Sequence, residues 1–417
     1  MSTQYYIDMH VHLEGDYEGP VYTVAEANAL LGELLSSASG GLLDAAVEKV
    51  LLTIPPLARA NARAYDIDPA VLDEIANEAG SMVAGIVAGG REVNVILQDY
   101  DAAMRGVAPE DAQTLGGLLS EEQSRQITVH RLSTGFGVAL DNLLALSSLK
   151  AIGEIALLHL SADNDQNPFM QVDSGSDLML QLLDFCADNA LPLDIHMEIL
   201  PCDVATADIE RLPGDAGTLY DVEEGPNRNP RALARNIESF EAFMASARAA
   251  GSGGQGCKVI LEHIGQAMIL RDWLFDLGNI DPVDGQTPID EDWLPAWLDR
   301  MLAAYPDHLF LALKWNETDP FAMWSLFANG TISYGTGQSW TALPWANREL
   351  RTSWKNLFSE YEANFVMGSD HFLSPTGEAS DEGDMAATME LLETIQRRVG
   401  IAASVFGRDN AIALYGL

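Results

Sequence analysis

The sequence predicts an α/β fold, a (β/α)8 TIM barrel with long βα loops over the C-terminal face of its strands. Three observations carry that expectation. Short apolar runs alternate with longer helical patterns from end to end, as βα units around a parallel sheet require. Eight such runs can be read, which suits a closed barrel better than an open doubly wound sheet. No glycine-rich GxGxxG turn follows the first run, so the dinucleotide-binding signature of an open sheet is missing.

The expected strands lie at 5–11 (YYIDMHV), 48–54 (EKVLLTI), 93–97 (VNVIL) and 151–158 (AIGEIALL), then at 192–197 (PLDIHM), 258–263 (KVILEH), 309–315 (LFLALKW) and 364–369 (NFVMGS). Each is short and largely apolar, as a strand covered on both faces should be. Helical patterns fall between them at 176–189, 231–249, 291–304 and 384–398. The glycine-rich GSGGQG at 251–256 reads as a helix-to-strand turn. Long connections are expected at 13–46, 201–230, 316–342 and 371–383; the second holds Pro201, Pro213, Pro226 and Pro230. Loops that follow strands belong on the catalytic face of a barrel. With no internal repeat or domain boundary in view, residues 1–417 read as one domain.

Of the 417 residues 47% are hydrophobic, enough for a large core. No apolar run reaches the roughly 18 residues of a membrane span. The first strand pattern begins within about four residues of the N-terminus, leaving no room for a signal peptide. The expectation is a cytoplasmic protein, or a periplasmic one if a leader has been removed. Acidic residues number 62 against 23 basic ones, a net charge of −39. Such a surface repels phosphate backbones and anionic membranes, so neither nucleic acid nor membrane is an expected partner. Salt would screen the self-repulsion. Cys186, Cys202 and Cys257 are an odd set without CxxC spacing, which argues against disulfides or a thiolate metal site; Cys186 reads as core.

The chemistry gathers at strand ends. His10 and His12 are two apart on the first strand and therefore share a face, where two neutral imidazoles can hold one divalent cation. That pair alone could arise by chance. Glu154 lies in the fourth expected strand, His196 closes the fifth, His263 closes the sixth and Asp370 follows the eighth. Buried imidazoles and carboxylates are costly without partners, and metal ligation removes that cost. Lys314 ends the seventh run, where it could hold a substrate carboxylate; Glu198 and His371 are further candidate substrate-binding residues.

The ordered set DMHVHLEG at 8–15, GEI at 153–155, DIHMEI at 194–199, LEHIG at 261–265, MGSDHF at 367–372 and NAIALYGL at 410–417 resembles the amidohydrolase superfamily, in its amidohydrolase-related branch. The resemblance implies a (β/α)8 barrel that uses one or two divalent metals, zinc first among them, to activate water. It implies that His10, His12 and Asp370 bind the more buried metal, and that His196 and His263 bind a second or position substrate. Glu154 resembles the strand-four glutamate of TatD-like hydrolases and would bridge the two ions. Asp370 and His263 are the candidate catalytic residues, with Asp370 passing a proton to the leaving group.

The leading expectation is hydrolysis of a C–N or C–O bond, such as an amide, ester or lactone, in a small-molecule substrate. A TatD-like phosphoesterase fits Glu154 but not the charge. An adenosine deaminase-like enzyme fits HVHLEG, but His196-Met197-Glu198 and Asp370-His371 stand where its HAGE and Asp-Asp motifs should be. A mononuclear decarboxylase would use a single metal at these ligands, and a metal-stabilised binding barrel would use the metal without catalysis. Oligomeric state is open, a homo-oligomer included.

Overall fold

The computed structural model describes residues 4–13, 23–37, 39–40, 45–54, 68–104, 121–159, 170–197, 199, 236–265, 292–315, 326–328, 347–373 and 382–417. The strands are β1 (Gln4–Leu13), β2 (Ser39–Gly40), β3 (Ala45–Thr53), β4 (Val83–Gly89), β5 (Leu149–His159) and β6 (Met170–Gln171), followed by β7 (Leu193–Met197), β8 (Val259–Leu261), β9 (Leu309–Leu313), β10 (Phe365–Met367) and β11 (His371–Leu373). Nine of them pair in parallel in the order β10-β9-β8-β7-β5-β4-β3-β1-β11, and β2 and β6 add short antiparallel pairings to β3 and β5. The fold is mixed α/β. Its helices are α1 (Val24–Ser37), α2 (Pro69–Ala79), α3 (Glu92–Met104), α4 (Glu121–Leu144), α5 (Asp177–Asp188), α6 (Asn236–Ala249), α7 (Trp293–Ala304), α8 (Thr352–Glu360), α9 (Glu382–Val399) and α10 (Asn410–Tyr415).

The two ends of the strand order come from one short stretch of chain. β10 pairs with β9, and β11, just beyond it, pairs with β1. Between them Gly368 N–H donates to the Leu313 carbonyl (3.0 Å) and Asp370 N–H donates to the His10 carbonyl (3.0 Å).

One expected strand is corrected. The run at 93–97 lies inside α3, where Val93, Leu97 and Tyr100 are buried at helical spacing. The strand of that unit is β4, ten residues earlier, whose VAGIVAG interleaves its β-branched Val83, Ile86 and Val87 with two glycines and two alanines, residues depleted in strands. Its glycines serve close approach: a Cβ on Gly85, at φ +159°, would collide with the Lys150 side chain and the Ser148 carbonyl of the neighbouring strand entry. A second correction concerns 13–46, read as loop throughout. Residues 24–37 are α1, started by a capping box in which Thr23 N–H donates to Glu26 Oε2 (2.9 Å) and Glu26 N–H to Thr23 Oγ1 (3.3 Å). The expected connection at 201–230 lies outside the described residues, as does most of 316–342 and of 371–383.

Helices α2 and α5 start as their sequences direct. Asp68 Oδ1 accepts from Ala70 N–H (2.8 Å) with Pro69 at the first helical position, and Ser176 caps Met179 N–H (3.3 Å). Their apolar faces join a large core with Phe240 and Phe243 of α6, Trp297 of α7 and Trp354 of α8. Cys186 belongs to this core, beside the buried Cys257, and neither is in a disulfide. A second, smaller apolar cluster gathers Ile7, Met9, Leu51, Val87, Ala151, Ile260, Ala312 and Val366 from strands along the whole order, with Leu414 and Tyr415 of α10. Among the described residues no helix is long and apolar enough to cross a membrane.

Candidate metal centre

Each side chain of the site is positioned by a strand or by the turn that ends one. His10 and His12 alternate along β1, with Nε2 atoms 3.0 Å apart. Ring stacking on Phe372, at 4.4 Å between centroids, holds the plane of His12. Glu154 sits midway along β5, preceded by Gly153, where a Cβ would press into Asp194 at 2.6–2.7 Å. The Ala156 N–H donates to the buried Asn94 Oδ1 of α3 (3.1 Å), which fixes this stretch of β5 against the helix. His196 is on β7, and His263 follows β8 in a tight turn. Asp370 lies between β10 and β11.

His263 (φ 51°), Ile264 (φ 59°) and Asp370 (φ 55°) adopt left-handed backbone, which costs an L-residue about 1–2 kcal/mol each. For the β-branched Ile264 this is a marked outlier. Such conformations persist where surrounding structure over-determines them, and here they turn His263 and Asp370 toward the cluster.

The six residues singled out from sequence converge. His12 Nε2 lies 2.8 Å from Asp370 Oδ1, and His10 Nε2 lies 3.7 Å from the same oxygen. Glu154 Oε2 is 3.4 Å from His10 Nε2 and 3.6 Å from His12 Nε2, while its Oε1 is 2.9 Å from His196 Nδ1. Asp370 Oδ2 is 3.5 Å from His263 Nε2. Two ligand groups result, His10–His12–Asp370 and Glu154–His196–His263, each with donor atoms within 4.8 Å of one another. All six residues are buried.

These donors suit a divalent cation. Imidazole nitrogens and carboxylate oxygens are the ligand types that zinc and related metals take, and two imidazoles sharing one ion at about 2.1 Å each stand close to the His10–His12 spacing. The Nδ1 atoms of His12 and His263 are also buried without a hydrogen-bond partner.

The electrostatics are those of a strongly coupled buried cluster. Burial alone would raise the Glu154 carboxyl, but His10 and His196 outweigh it and hold it well below the ordinary range. Burial likewise opposes ionisation of Asp370, and Lys314, His263 and His12 drive it well below. Burial pushes His263 well below the usual imidazole value despite Asp370. His10 goes the other way: burial disfavours its charge, yet Glu262 and Glu154 raise it well above.

Of the other candidates, Lys314 joins the cluster as a partner of Asp370, its Nζ 2.5 Å from Oδ2. His371, expected on a loop, instead opens β11, buried and in register with Val11. Glu198 lies outside the described residues. Three buried carboxylates escaped the sequence reading. Asp8 Oδ1 accepts from His10 N–H (3.2 Å) and Ser369 N–H (3.0 Å), and burial pushes its carboxyl up to about 6. Asp194 and Glu262 approach the far side of His10. The signal was present, since Asp8 and His10, like Asp194 and His196, are two apart on one strand.

No family model matches the chain, and no curated protein or solved structure matches it either.

Proposed function

We propose that this chain is a metal-dependent hydrolase of the amidohydrolase superfamily, cleaving a C–N or C–O bond of a small amide, ester or lactone. The observation that carries the reading is the reach of two carboxylates: Glu154 and Asp370 each present one oxygen to His10 and His12 and the other to His196 or His263. That arrangement suits a binuclear centre with Glu154 as the bridge, zinc being the first candidate. Closure of the sheet into a (β/α)8 barrel is part of the proposal. It is supported by the single stretch 365–373 that pairs with both ends of the strand order, and by the apolar cluster drawn from strands along that order.

A divalent cation at these ligands supplies Lewis acidity, which lowers the pKa of water and polarises the scissile carbonyl. The chain's own groups do the rest. Asp370, kept ionised by Lys314, takes the proton from the attacking water and delivers it to the leaving group. His263, held neutral by burial, is available as a ligand or as a partner to the carbonyl oxygen. Lys314 orients Asp370 in this reading, and a contact with substrate is a secondary role.

Elemental analysis of protein purified without chelator, beside a His10→Ala/His12→Ala variant, tests the proposal, followed by turnover assays on amide, ester and lactone panels. About two divalent ions per chain, lost in the variant, are expected. One ion would favour a mononuclear decarboxylase or deaminase. No ion after reconstitution would overturn the reading.

A further inference from the structure

Helix α4 has a core face, on which Thr128, Leu132, Phe136 and Leu140 are buried at helical spacing. Its opposite face is unusual for this chain. Of the six large apolar side chains that stand in solvent among the described residues, Ile127 (50% exposed), Val138 (54%) and Leu144 are on α4. A fourth, Met104 of α3, meets Arg125 of α4 at 4.0 Å. Acidic residues fill 62 of 417 positions, about one in seven, yet none occurs between Glu122 and Asp141. Gly135 and Gly137 interrupt the middle of the helix, where glycine costs stability. A Cβ on either would meet nothing within 4 Å, so neither glycine makes room for a neighbouring segment of the described chain.

We propose that this face of α4 docks a second copy of the chain, helix against antiparallel helix about a two-fold axis at Phe136. The outward stripe runs Ile127, Arg131, Thr134, Val138, Asp141 and Ala145, all exposed. Its steps of four and three residues keep one seam turned toward a partner helix. The stripe is symmetric about Phe136. An antiparallel copy sets Thr134 opposite the partner's Val138, Arg131 opposite the partner's Asp141 and Ile127 opposite the partner's Ala145. Each contact then occurs twice, as an isologous interface requires. The proposal is independent of the metal-centre reading.

Charge selects the occupant. Arg131 and Asp141 make no ion pair among the described residues, and the antiparallel two-fold gives each an opposite charge. Parallel packing in register would set like charges against each other, which is unfavourable. Elsewhere the net charge of −39 makes the surface repel a second copy. Gly135 and Gly137 flank the seam and have no side chain to hold two backbones apart. One helix pair is a small interface, so the dimer belongs to the weak, reversible class.

Sedimentation velocity over about 5–500 µM chain, in about 0.15 M salt where the Debye length is about 8 Å, tests the proposal. The parent is expected to pass from monomer to dimer within that range. Arg131→Asp and Asp141→Arg should each weaken association more than about tenfold, since like charges then face each other at both ends of the seam. Mixed in equal amounts, the two variants should associate again, because both contacts of the mixed pair join opposite charges. The double variant Arg131→Asp/Asp141→Arg should restore the dimer for the same reason. A parent that stays monomeric throughout, single variants that associate like the parent, or a mixture that stays monomeric would overturn the proposal. Both side chains are exposed, so the variants should fold, which circular dichroism checks. Should one single variant fail to fold, the other single variant and the double variant decide: lost and restored association support the two-fold pairing, and any other result overturns it.

Discussion

Lys314 and Asp370 form a contact of 2.5 Å between Nζ and Oδ2 in which both side chains are more than nine-tenths buried. A buried ammonium so close to a proposed metal ligand compensates the charge of Asp370 from the side opposite His12. Removing one partner of a buried pair usually costs about 3–5 kcal/mol, because the other charge is stranded. Lys314→Met should therefore destabilise the metal-free protein by about that amount. Zinc should restore much of the loss, since the cation takes over the compensation. Urea unfolding with chelator and with zinc measures both; an equal loss in the two conditions would show that Lys314 acts only as packing.

The split ligand set makes a prediction about stoichiometry. Glu154 Oε1 lies 2.9 Å from His196, and Asp370 Oδ2 lies 3.5 Å from His263. A His196→Ala/His263→Ala variant keeps His10, His12 and Asp370 and should retain one of two ions per chain. Loss of both ions in a folded variant would mean that the two groups are a single site.

How far the site was legible follows from what each residue depends on. His10, His12, Glu154, His196 and Asp370 could be read because a polar residue in a short apolar run stands out against its neighbours. Asp8 and Asp194 stand two residues before His10 and His196 on the same strands, and Glu262 stands directly before His263 in the turn after β8, but in each case the histidine drew the functional reading. The strand at 83–89 was missed because two glycines dilute its apolar pattern, and they are there to let β5 come close. VNVIL was mistaken for a strand because five residues cannot separate a period of two from one of 3.6. The Thr23–Glu26 capping box that begins α1 was local and readable. The left-handed backbone of His263 and Asp370 was not, since it is imposed by tertiary packing.

Asp73 should shape the acid limb of stability. Its carboxylate accepts from Ser148 N–H (2.7 Å) and Ser147 N–H (3.2 Å), and from the hydroxyls of both serines, tying α2 to the turn before β5. Partial burial opposes ionisation, but these hydrogen bonds prevail and lower its pKa from 3.8. A depressed carboxyl contributes stability that is present above its unfolded pKa and disappears as pH falls through the folded one. Asp73→Ala should thus lose about 1–3 kcal/mol at pH 7, with the gap to the parent closing below about pH 4. Denaturant midpoints at several pH values test this; a gap independent of pH would place the effect in lost packing.

The net charge of −39 makes the last prediction. Among the described residues several cation–carboxylate contacts lie at the surface, such as Arg125–Glu122 and Arg398–Glu349, but 23 basic residues cannot balance 62 acidic ones. Most exposed carboxylates therefore repel one another, and the Debye length, about 10 Å at 0.1 M salt, shortens to about 3 Å at 1 M. Raising NaCl from low millimolar to about 1 M should raise the melting temperature. Screening would weaken the few surface pairs, worth about 0–1 kcal/mol each, by less than it relieves the repulsion. Sodium sulfate would also strengthen apolar burial, so chloride is the cleaner probe. A melting temperature that stays flat or falls across that range would mean that the carboxylates are spaced widely enough over the surface for their repulsion not to matter.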